Sequence, residues 1–293
     1  MSELLATPHG TMTVLDQFGI RAKKKYGQNF LISRSVVDQI IEAAEITGED
    51  CVLEIGPGIG TMTQLLSESA GHVVAVEIDK GLENVLQVTL EDCGNVTVLF
   101  QDILKTDVTA IAAEYNGGRP LKCVANLPYY ITTPILLQLL QEARSFESIT
   151  IMVQKEVADR ILATEKDKEY GALSLAVRYY AEARRVCMVS PGCFLPKPGV
   201  DSAVLQLRLR KEPPVAADTD FLFALIRAAF NQRRKTLANA LSHGMQGETC
   251  AVTREMVQEA LSQMGLSETV RGEKLSLEQF AKLASLLGNM LKF

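Results

Sequence analysis

Between residues 51 and 163, short apolar runs alternate with amphipathic segments of helical period, and this alternation constrains the fold more than any other feature of the sequence. The apolar runs at 51–55, 72–78 and 96–100 each have the length of a buried strand. Strands that alternate with helices form a mostly parallel sheet, because each right-handed crossover returns the chain to the same end of the sheet. We therefore predict a doubly wound α/β domain over residues 21–211.

The two ends of the chain carry different patterns. Residues 1–20 show little periodicity, and we expect them to form a loosely held arm. The pair Pro213-Pro214 indicates a linker, and beyond it the apolar residues recur only at helical spacing. We therefore predict a separate helical domain over residues 216–293.

Composition limits the setting in which the chain works. The 293 residues carry a formal net charge of −5, which gives no overall basic signal for a nucleic-acid partner, although a binding face can be local. Six cysteines are scattered without a CxxC pair or a Cys/His cluster, so we expect a reducing compartment and no metal. Because there is no basic-then-apolar leader and no apolar run of ~20 residues, we expect a soluble, cytoplasmic protein without a membrane partner.

A glycine-rich turn follows the first apolar run. Gly56, Gly58 and Gly60 alternate with other residues, and a turn of this kind lets the backbone approach a ligand closely. A dinucleotide fingerprint would require a glycine where Thr61 stands. Since no His or Lys suits a hydride-transfer site either, a nicotinamide-dependent dehydrogenase is disfavoured.

Three carboxylates stand on or just after successive predicted strands, whose carboxyl ends line one crevice in a doubly wound sheet. Glu77 suits the hydroxyls of a ribose, and Asp102 suits the exocyclic amine of an adenine. An anionic Glu54 beside the glycine turn disfavours a pyrophosphate and tolerates a cation. This pattern fits S-adenosylmethionine, which has a sulfonium and an ammonium group but no phosphate. The alternative is that these acids are strand-end caps or solvated surface groups.

The sequence Asn126-Leu127-Pro128-Tyr129 follows the apolar run 121–125. It places a carboxamide and an aromatic ring together at the carboxyl end of a predicted strand, where open α/β sheets bind ligands. A planar hydrogen-bonding group beside an aromatic face suits a flat heterocycle. The alternative is that Asn126 is a turn residue before a proline and that Tyr129 only packs.

Together these motifs resemble those of the ribosomal RNA adenine N6-dimethyltransferases, and the likeness extends over roughly residues 20–292. The resemblance implies a Rossmann-like class I methyltransferase domain with a mostly parallel seven-stranded sheet, followed by a small all-α C-terminal domain. The segments that carry it, in that family's order and spacing, are Tyr26-Gly27-Gln28-Asn29-Phe30-Leu31, Glu54-Ile55-Gly56-Pro57-Gly58-Ile59-Gly60, Glu77-Ile78-Asp79, Gln101-Asp102, Asn126-Leu127-Pro128-Tyr129, Val153-Gln154-Lys155-Glu156 and, with intervening residues, Phe194, Pro196, Pro198, Val200 and Ser202.

The resemblance also implies the residues of the site, with the target adenine between Tyr129 and Phe194. We hypothesise that the Asn126 side-chain carbonyl and the Leu127 backbone carbonyl accept hydrogen bonds from the adenine N6. The expected cofactor shell is Gln28, Asn29, Leu31, Glu54, Gly56, Gly58, Glu77, Ile78, Asp102, Ile103 and Asn126. The expected catalytic residues are Asn126, Leu127, Pro128, Tyr129 and Phe194.

Leu127 and the chain length resemble the small-subunit branch of that family. The resemblance implies methyl transfer from S-adenosylmethionine to N6 of two adjacent adenosines near the 3′ end of 16S ribosomal RNA, leaving S-adenosylhomocysteine. The implied partner is a pre-30S or 30S particle, approached by a monomer with a role in subunit biogenesis. The alternatives are the sister branch, which methylates 23S RNA and confers antibiotic resistance, a mainly non-catalytic assembly factor, and a small-molecule methyltransferase.

RNA binding requires cations despite the negative net charge. Two basic groups are candidates, and the alternative for each is a solvated charged surface. They are Arg21, Lys23, Lys24 and Lys25 near the N-terminus, and Arg227, Arg233, Arg234 and Lys235 in the predicted helical domain.

Overall fold

The structure is a computed structural model that describes residues 5–245 and 252–291. The first residues of the predicted arm, a stretch within the predicted helical domain and its last two residues lie outside this description. The described chain divides into two compact units. The first comprises the residues up to 158 together with 182–209, and the second comprises 159–181 and the residues from 210 onward.

The first unit is built on a mostly parallel sheet. Among the described residues, seven strands form one sheet in the order β4-β3-β2-β5-β6-β9-β7, and β1 pairs with β8 in a second, antiparallel sheet. The strands are β1 (Phe30–Leu31), β2 (Cys51–Ile55), β3 (His72–Glu77), β4 (Val96–Phe100), β5 (Leu121–Asn126), β6 (Phe146–Gln154), β7 (Ala181–Val189), β8 (Phe194–Leu195) and β9 (Ser202–Leu209). The predicted α/β class and seven-stranded sheet are thus confirmed.

The α-helices of the described residues, in chain order, are α1 (Pro8–Gln17), α2 (Arg34–Ala44), α3 (Thr61–Ser67), α4 (Glu83–Thr89), α5 (Val108–Asn116), α6 (Thr132–Gln141), α7 (Lys155–Leu162), α8 (Ala172–Tyr180), α9 (Thr219–Asn231), α10 (Leu237–Gly244), α11 (Arg254–Gln263) and α12 (Leu277–Leu291).

The strand order places a ligand crevice between β2 and β5. Strands β2 to β6 run parallel, with β3 beside β2 on one side and β5 on the other. Every residue of β2 is buried, as expected for a central strand that is covered on both faces. Because the chain winds in opposite directions on the two sides of β2, the carboxyl ends of β2 and β5 flank the topological switch point, where ligands bind in such sheets.

The N-terminal residues differ from the expected loose arm. Thr7 caps α1 by accepting a hydrogen bond from the Gly10 N–H at 3.1 Å, and Pro8 suits the first helical turn. The Thr11 hydroxyl donates to the Leu5 carbonyl at 2.6 Å, and both residues are buried. The expectation was therefore wrong for residues 5–17, because apolar side chains of this short helix belong to a cluster with Phe30.

The second unit has its own apolar core. Buried side chains from α8 to α12 form this core, and Tyr170, Leu175 and Tyr179 belong to it. The Tyr170 hydroxyl donates to the Leu275 carbonyl at 2.9 Å. Residues 159–181 therefore group with the helical unit, whereas the sequence-based boundary had placed them in the α/β domain. The sequence-based boundary followed the proline linker at residues 213–214. A linker marks where the chain leaves one domain, but it does not show that the earlier helix α8 packs in the core of the second unit.

Candidate active site

A cleft opens at the carboxyl ends of β2, β3, β4 and β5. It encloses about 780 Å³ of empty space, including the part open to solvent. The predicted site residues that line it are Gln28, Asn29, Gly56, Gly58, Glu77, Ile78, Asp102, Ile103, Asn126, Leu127, Pro128 and Tyr129. Leu31, Glu54 and Phe194 are not among its lining residues.

Glu77 is the last residue of β3, and its side chain lines the cleft. Its two carboxyl oxygens accept hydrogen bonds from the Asp79 N–H at 2.8 Å and from the Gly58 N–H at 3.2 Å. Burial raises the pKa of Glu77, and these backbone donors oppose that shift. Each oxygen keeps a further lone pair, so the carboxylate can still accept two hydroxyl hydrogen bonds from a ligand.

Two glycines of the turn after β2, Gly56 and Gly58, have different surroundings. Gly56 has φ +72°, a conformation that favours glycine, and a Cβ there would meet nothing within 4 Å. Gly58 also has positive φ, and a Cβ there would lie 3.3 Å from the Phe30 ring. The first position therefore keeps the cleft open, while the second lets the segment that carries Phe30 approach the turn.

Asp102 follows β4 and is half-buried. One of its carboxyl oxygens accepts a hydrogen bond from the Leu104 N–H at 3.0 Å and so caps a short 3₁₀ turn. This is the capping role that the alternative interpretation of the sequence proposed. The cap occupies only one carboxyl oxygen of Asp102. Because Asp102 also lines the cleft, its other oxygen is left as an acceptor for a ligand.

The side chain of Asn126 has a fixed orientation at the end of β5. Its Nδ2 donates to the Asn29 carbonyl oxygen at 3.2 Å. The Asn29 side chain in turn donates to the Gly27 carbonyl at 3.0 Å, which holds the 26–30 segment in a turn. Because the Asn126 amide nitrogen is engaged, its Oδ1 is left as the acceptor at the edge of the cleft.

The residues after Asn126 form a braced turn. The Leu127 N–H donates to the Met152 carbonyl at 3.1 Å, and the Pro128 carbonyl accepts from the Ile131 N–H and from the Thr132 hydroxyl. The Tyr129 and Ser202 hydroxyl oxygens lie 2.6 Å apart, and Ser202 is fully buried. Burial raises the pKa of Tyr129. The ring of Tyr129 is thus anchored by its hydroxyl while it lines the cleft.

Glu54 does not act as an anion at the cleft wall, and the prediction is corrected here. Its side chain is fully buried, and neither carboxyl oxygen has a hydrogen-bond partner. Burial raises the pKa of Glu54 to about 8, so the group is largely neutral at pH 7. The prediction failed because the position two residues before Gly56 lies inside β2, under covering helices, and not on the loop.

Leu31 and Phe194 also lie away from the cleft. They face each other in the antiparallel pair formed by β1 and β8, and both are buried in a cluster with Val37, Val189 and Val204. The sequence interpretation had placed Phe194 against the target base and Leu31 against the cofactor. In this structure both side chains fill the core beside the cleft, so their expected contacts with base and cofactor find no support here.

Lys23 is committed to an ion pair that the sequence did not suggest. Its Nζ lies 2.8 Å from the buried Asp79 carboxylate, whose other oxygen accepts from Gln28 Nε2 at 3.0 Å. The Lys23 N–H donates to Gln28 Oε1 at 2.8 Å. Lys23 and Gln28, predicted to bind RNA and cofactor respectively, therefore tie the N-terminal segment to the end of β3. The sequence offered one indication of this contact: Asp79 directly follows Glu77 and Ile78, which were predicted to bind the cofactor.

The other predicted RNA-binding residues of the first unit differ in their surroundings. Arg21 and Lys25 are exposed, and Lys25 Nζ lies 4.4 Å from the centroid of the Tyr26 ring. The side chain of Lys24 lies outside the described part of the structure. In the second unit, Arg227, Arg233, Arg234 and Lys235 are all exposed, and Arg233 also pairs with Glu273 at 2.6 Å.

Two features of the described residues concern metals and membranes. Within residues 5–245 and 252–291, no group of three or more His, Cys, Asp or Glu side chains is placed to hold a metal ion. Across the same residues, no helix combines the length and apolarity required to cross a membrane.

Comparisons with known proteins agree with the motifs. Residues 19–287 match the model of the family described as ribosomal RNA adenine dimethylase. The chain is 52% identical over 290 residues to the ribosomal RNA small subunit methyltransferase A of Lachnoclostridium phytofermentans, covering 98% of this chain and 99% of that protein. It is 45% identical to the protein of the same name from Bacillus pumilus, covering 99% of this chain and 100% of that protein.

Solved structures share the fold. A dimethyladenosine transferase from Plasmodium falciparum superposes with a TM-score of 0.72 at 27% identity, covering 87% of this chain and 95% of that one. The 23S rRNA methyltransferase ErmE superposes with a TM-score of 0.67 at 28% identity, covering 89% of this chain and 100% of that one.

Proposed function

The chain belongs to the ribosomal RNA adenine dimethylase family, and we propose that it transfers methyl groups from S-adenosylmethionine to N6 of two adjacent adenosines near the 3′ end of 16S ribosomal RNA. The products are N6,N6-dimethyladenosine and S-adenosylhomocysteine. The choice of the small subunit is supported by relatives that are 52% and 45% identical over almost the whole chain and carry a small-subunit name. The 23S enzyme, in contrast, is 28% identical.

The observation that carries the proposal is the orientation of Asn126. Its amide nitrogen is held by the Asn29 carbonyl, so its carbonyl oxygen is presented at a cleft that also contains Glu77 and Asp102. An acceptor at this place can take a hydrogen bond from an adenine amine. The Leu127 carbonyl supplies a second acceptor in the proposed arrangement.

The residues of the cleft fit S-adenosylmethionine. Glu77 has acceptor capacity for the two hydroxyls of its ribose, and Asp102 can accept from the adenine amine of the cofactor. The open space above Gly56 admits the ligand against the backbone. When bound, the cofactor supplies an electrophilic methyl group on a sulfonium.

Asn126 and Leu127 act on the nucleophile. The lone pair of an adenine N6 is delocalised into the ring, and two acceptors favour a tetrahedral nitrogen whose lone pair points at the methyl group. The new N–C bond forms as the S–C bond breaks, and the surplus proton leaves to water. No strong base is required, because positioning of reactants alone can supply about 7–11 kcal/mol of the barrier.

Tyr129 offers its ring to the target base. Stacking of a base on an aromatic side chain is worth about 1–3 kcal/mol, and the anchored hydroxyl fixes the ring before the base arrives. A base inside a duplex cannot reach such a cleft, so the target is an unstacked or flipped nucleotide. We propose that the partner is a pre-30S or 30S particle in the cytoplasm, met by a monomer that also contributes to subunit assembly.

Methyl transfer to isolated ribosomal particles tests this function. We expect wild-type protein to transfer label from radioactive S-adenosylmethionine to small subunits from a strain that lacks the modification, and to transfer less to naked 16S RNA. Labelling of large subunits instead would favour the sister branch. Binding to small subunits without any transfer would favour an assembly factor.

A further inference from the structure

Tyr130 occupies an unusual place beside the proposed reaction centre. It lines the same cleft as Asn126, yet 57% of the residue is exposed. Its neighbour Tyr129 turns inward and is anchored to Ser202. Two consecutive tyrosines therefore divide between the interior and the mouth of the cleft.

The ring of Tyr130 packs against Gly27. A Cβ at Gly27 would lie 3.1 Å from its Cδ1 and 3.5 Å from its Cε1, so the ring rests against the bare backbone of that glycine. Gly27 has φ +59°, a conformation that favours glycine. Within the described residues, no hydrogen bond fixes the Tyr130 hydroxyl. The chain thus holds a flat aromatic surface in place and leaves its outer side to solvent.

A lysine contacts another aromatic ring that lines the same cleft. Tyr26 lines the same cleft, and Lys25 Nζ lies 4.4 Å from the centroid of its ring. Exposed aromatic rings together with a lysine at one cleft are the combination that binds single-stranded nucleic acid, because a ring stacks on a base while a cation meets a phosphate. A bare apolar surface for a protein partner would not require the cation.

We propose that Tyr130 is the stacking platform for the base next to the target adenosine, an inference that rests on the proposed function. The target nucleotide is flipped into the cleft, so the next base of the strand is left at its mouth, where Tyr130 is exposed. Tyr129 and Tyr130 can therefore serve two successive bases. With two adjacent adenosines as substrate, each in turn enters the cleft while its neighbour rests on Tyr130.

The first test compares substitutions at Tyr130 in the full-length protein. In single-turnover methylation of unmethylated small subunits, Tyr130→Ala should raise the half-saturating subunit concentration roughly 5- to 100-fold, the range expected for one base–aromatic contact. Tyr130→Phe should recover at least about half of the lost affinity, since stacking needs the ring and not the hydroxyl. The affinity for S-adenosylhomocysteine, measured by calorimetry, should stay unchanged in all variants.

The matched control is Tyr115→Ala. Tyr115 stacks on His72 at the opposite end of β3, with ring centroids 5.4 Å apart. This variant loses an aromatic contact of similar size away from the cleft, so it should leave the half-saturating subunit concentration unchanged.

A second test identifies the occupant of the platform. Small subunits reconstituted with an abasic nucleotide in place of one of the two adenosines should bind more weakly to wild-type protein, and Tyr130→Ala should add no further loss on that substrate. The proposal would be overturned if the loss of affinity from the abasic nucleotide and the loss from Tyr130→Ala multiplied when the two changes were combined. So would a Tyr130→Ala variant that equals the wild type on normal subunits, or one that loses S-adenosylhomocysteine affinity to the same extent. If wild-type protein transfers no methyl group at all, the proposed function fails and not this inference alone.

Discussion

At the scale of single residues, Glu54 is the group whose behaviour departs most from its residue type. It lies on a central strand, fully buried, with no hydrogen-bond partner for either oxygen. Burial raises its pKa to about 8, and burial outweighs the effect of every neighbouring group. A carboxylic acid that stays protonated avoids the cost of a buried charge.

Stability should therefore depend on pH through Glu54. Its pKa is about 8 in the folded state and about 4.3 in the unfolded state, so the folded state holds the extra proton between these values. The stabilisation is complete below the unfolded pKa and is lost as pH rises through the folded one, at up to about 1.4 kcal/mol per pH unit. In urea unfolding, the stability of Glu54→Gln relative to the wild type should rise between pH 5 and 8. A difference that does not change with pH would contradict this assignment.

At the scale of elements, the N-terminal segment is tied to β3 by a partly buried ion pair. Burial alone would raise the pKa of Asp79, but hydrogen bonds from Lys23, Gly81 and Gln28 hold it below its ordinary value. Hydrogen bonds to an ionised carboxylate are roughly twice as strong as those between neutral groups. The segment that carries Gln28 and Asn29 thus depends on Asp79 for its position over the cleft.

Asp79→Asn should loosen this segment. The amide keeps one acceptor oxygen but loses the charge that pairs with Lys23, so affinity for S-adenosylhomocysteine should fall several-fold, and hydrogen exchange should increase over residues 23–30. The matched control is Asp38→Asn, which breaks the exposed Arg34–Asp38 pair of α2 and should change neither measurement. Unchanged cofactor affinity in Asp79→Asn would show that the ion pair does not position the cleft.

The basic turn between α9 and α10 separates into two kinds of residue. Arg233 donates to Glu273 and to the Lys168 carbonyl, so its reversal would damage the helical unit itself. Arg234 and Lys235 are exposed. Reversing only these two should weaken binding to small subunits and lower the slope of log affinity against log salt by about 2, with S-adenosylhomocysteine binding intact.

The charge-matched control for that experiment is Arg254→Glu with Lys282→Glu, two exposed cations on α11 and α12. Both double variants change the net charge by the same amount. Equal losses of subunit affinity in the two would mean that overall charge, and not the α9–α10 turn, governs binding.

At the scale of the whole molecule, the sequence predicted what depends on period and position along the chain. The alternation over residues 51–163 was sufficient for a parallel sheet, and a sheet of this kind brings Glu77, Asp102 and Asn126 to one edge. It could not show which side chains are withdrawn into the core. Phe194 is buried because β8 pairs with β1, a contact between segments about 160 residues apart, and Glu54 is buried because helices cover β2.

Other differences have the same origin. The short helix α1 has few apolar side chains, and its burial depends on the cluster that contains Phe30. The partner of Lys23 is 56 positions away along the chain, so the basic run alone indicated only an exposed charged surface. Local patterns thus determine the elements, while tertiary contacts decide the role of each charged or aromatic residue.

The central claim is that Asn126 aims an adenine amine at the methyl donor. The most direct test measures methyl transfer and cofactor binding together for Asn126→Ala, with Asn289→Ala, an exposed asparagine of α12, as the control. On unmethylated small subunits, Asn126→Ala should lose transfer by at least about 10²–10³-fold, the cost of removing one positioned group that acts on the transition state. Its affinity for S-adenosylhomocysteine should stay within roughly tenfold of the wild type, the cost of one hydrogen bond. Transfer at the wild-type rate by Asn126→Ala would contradict the mechanism.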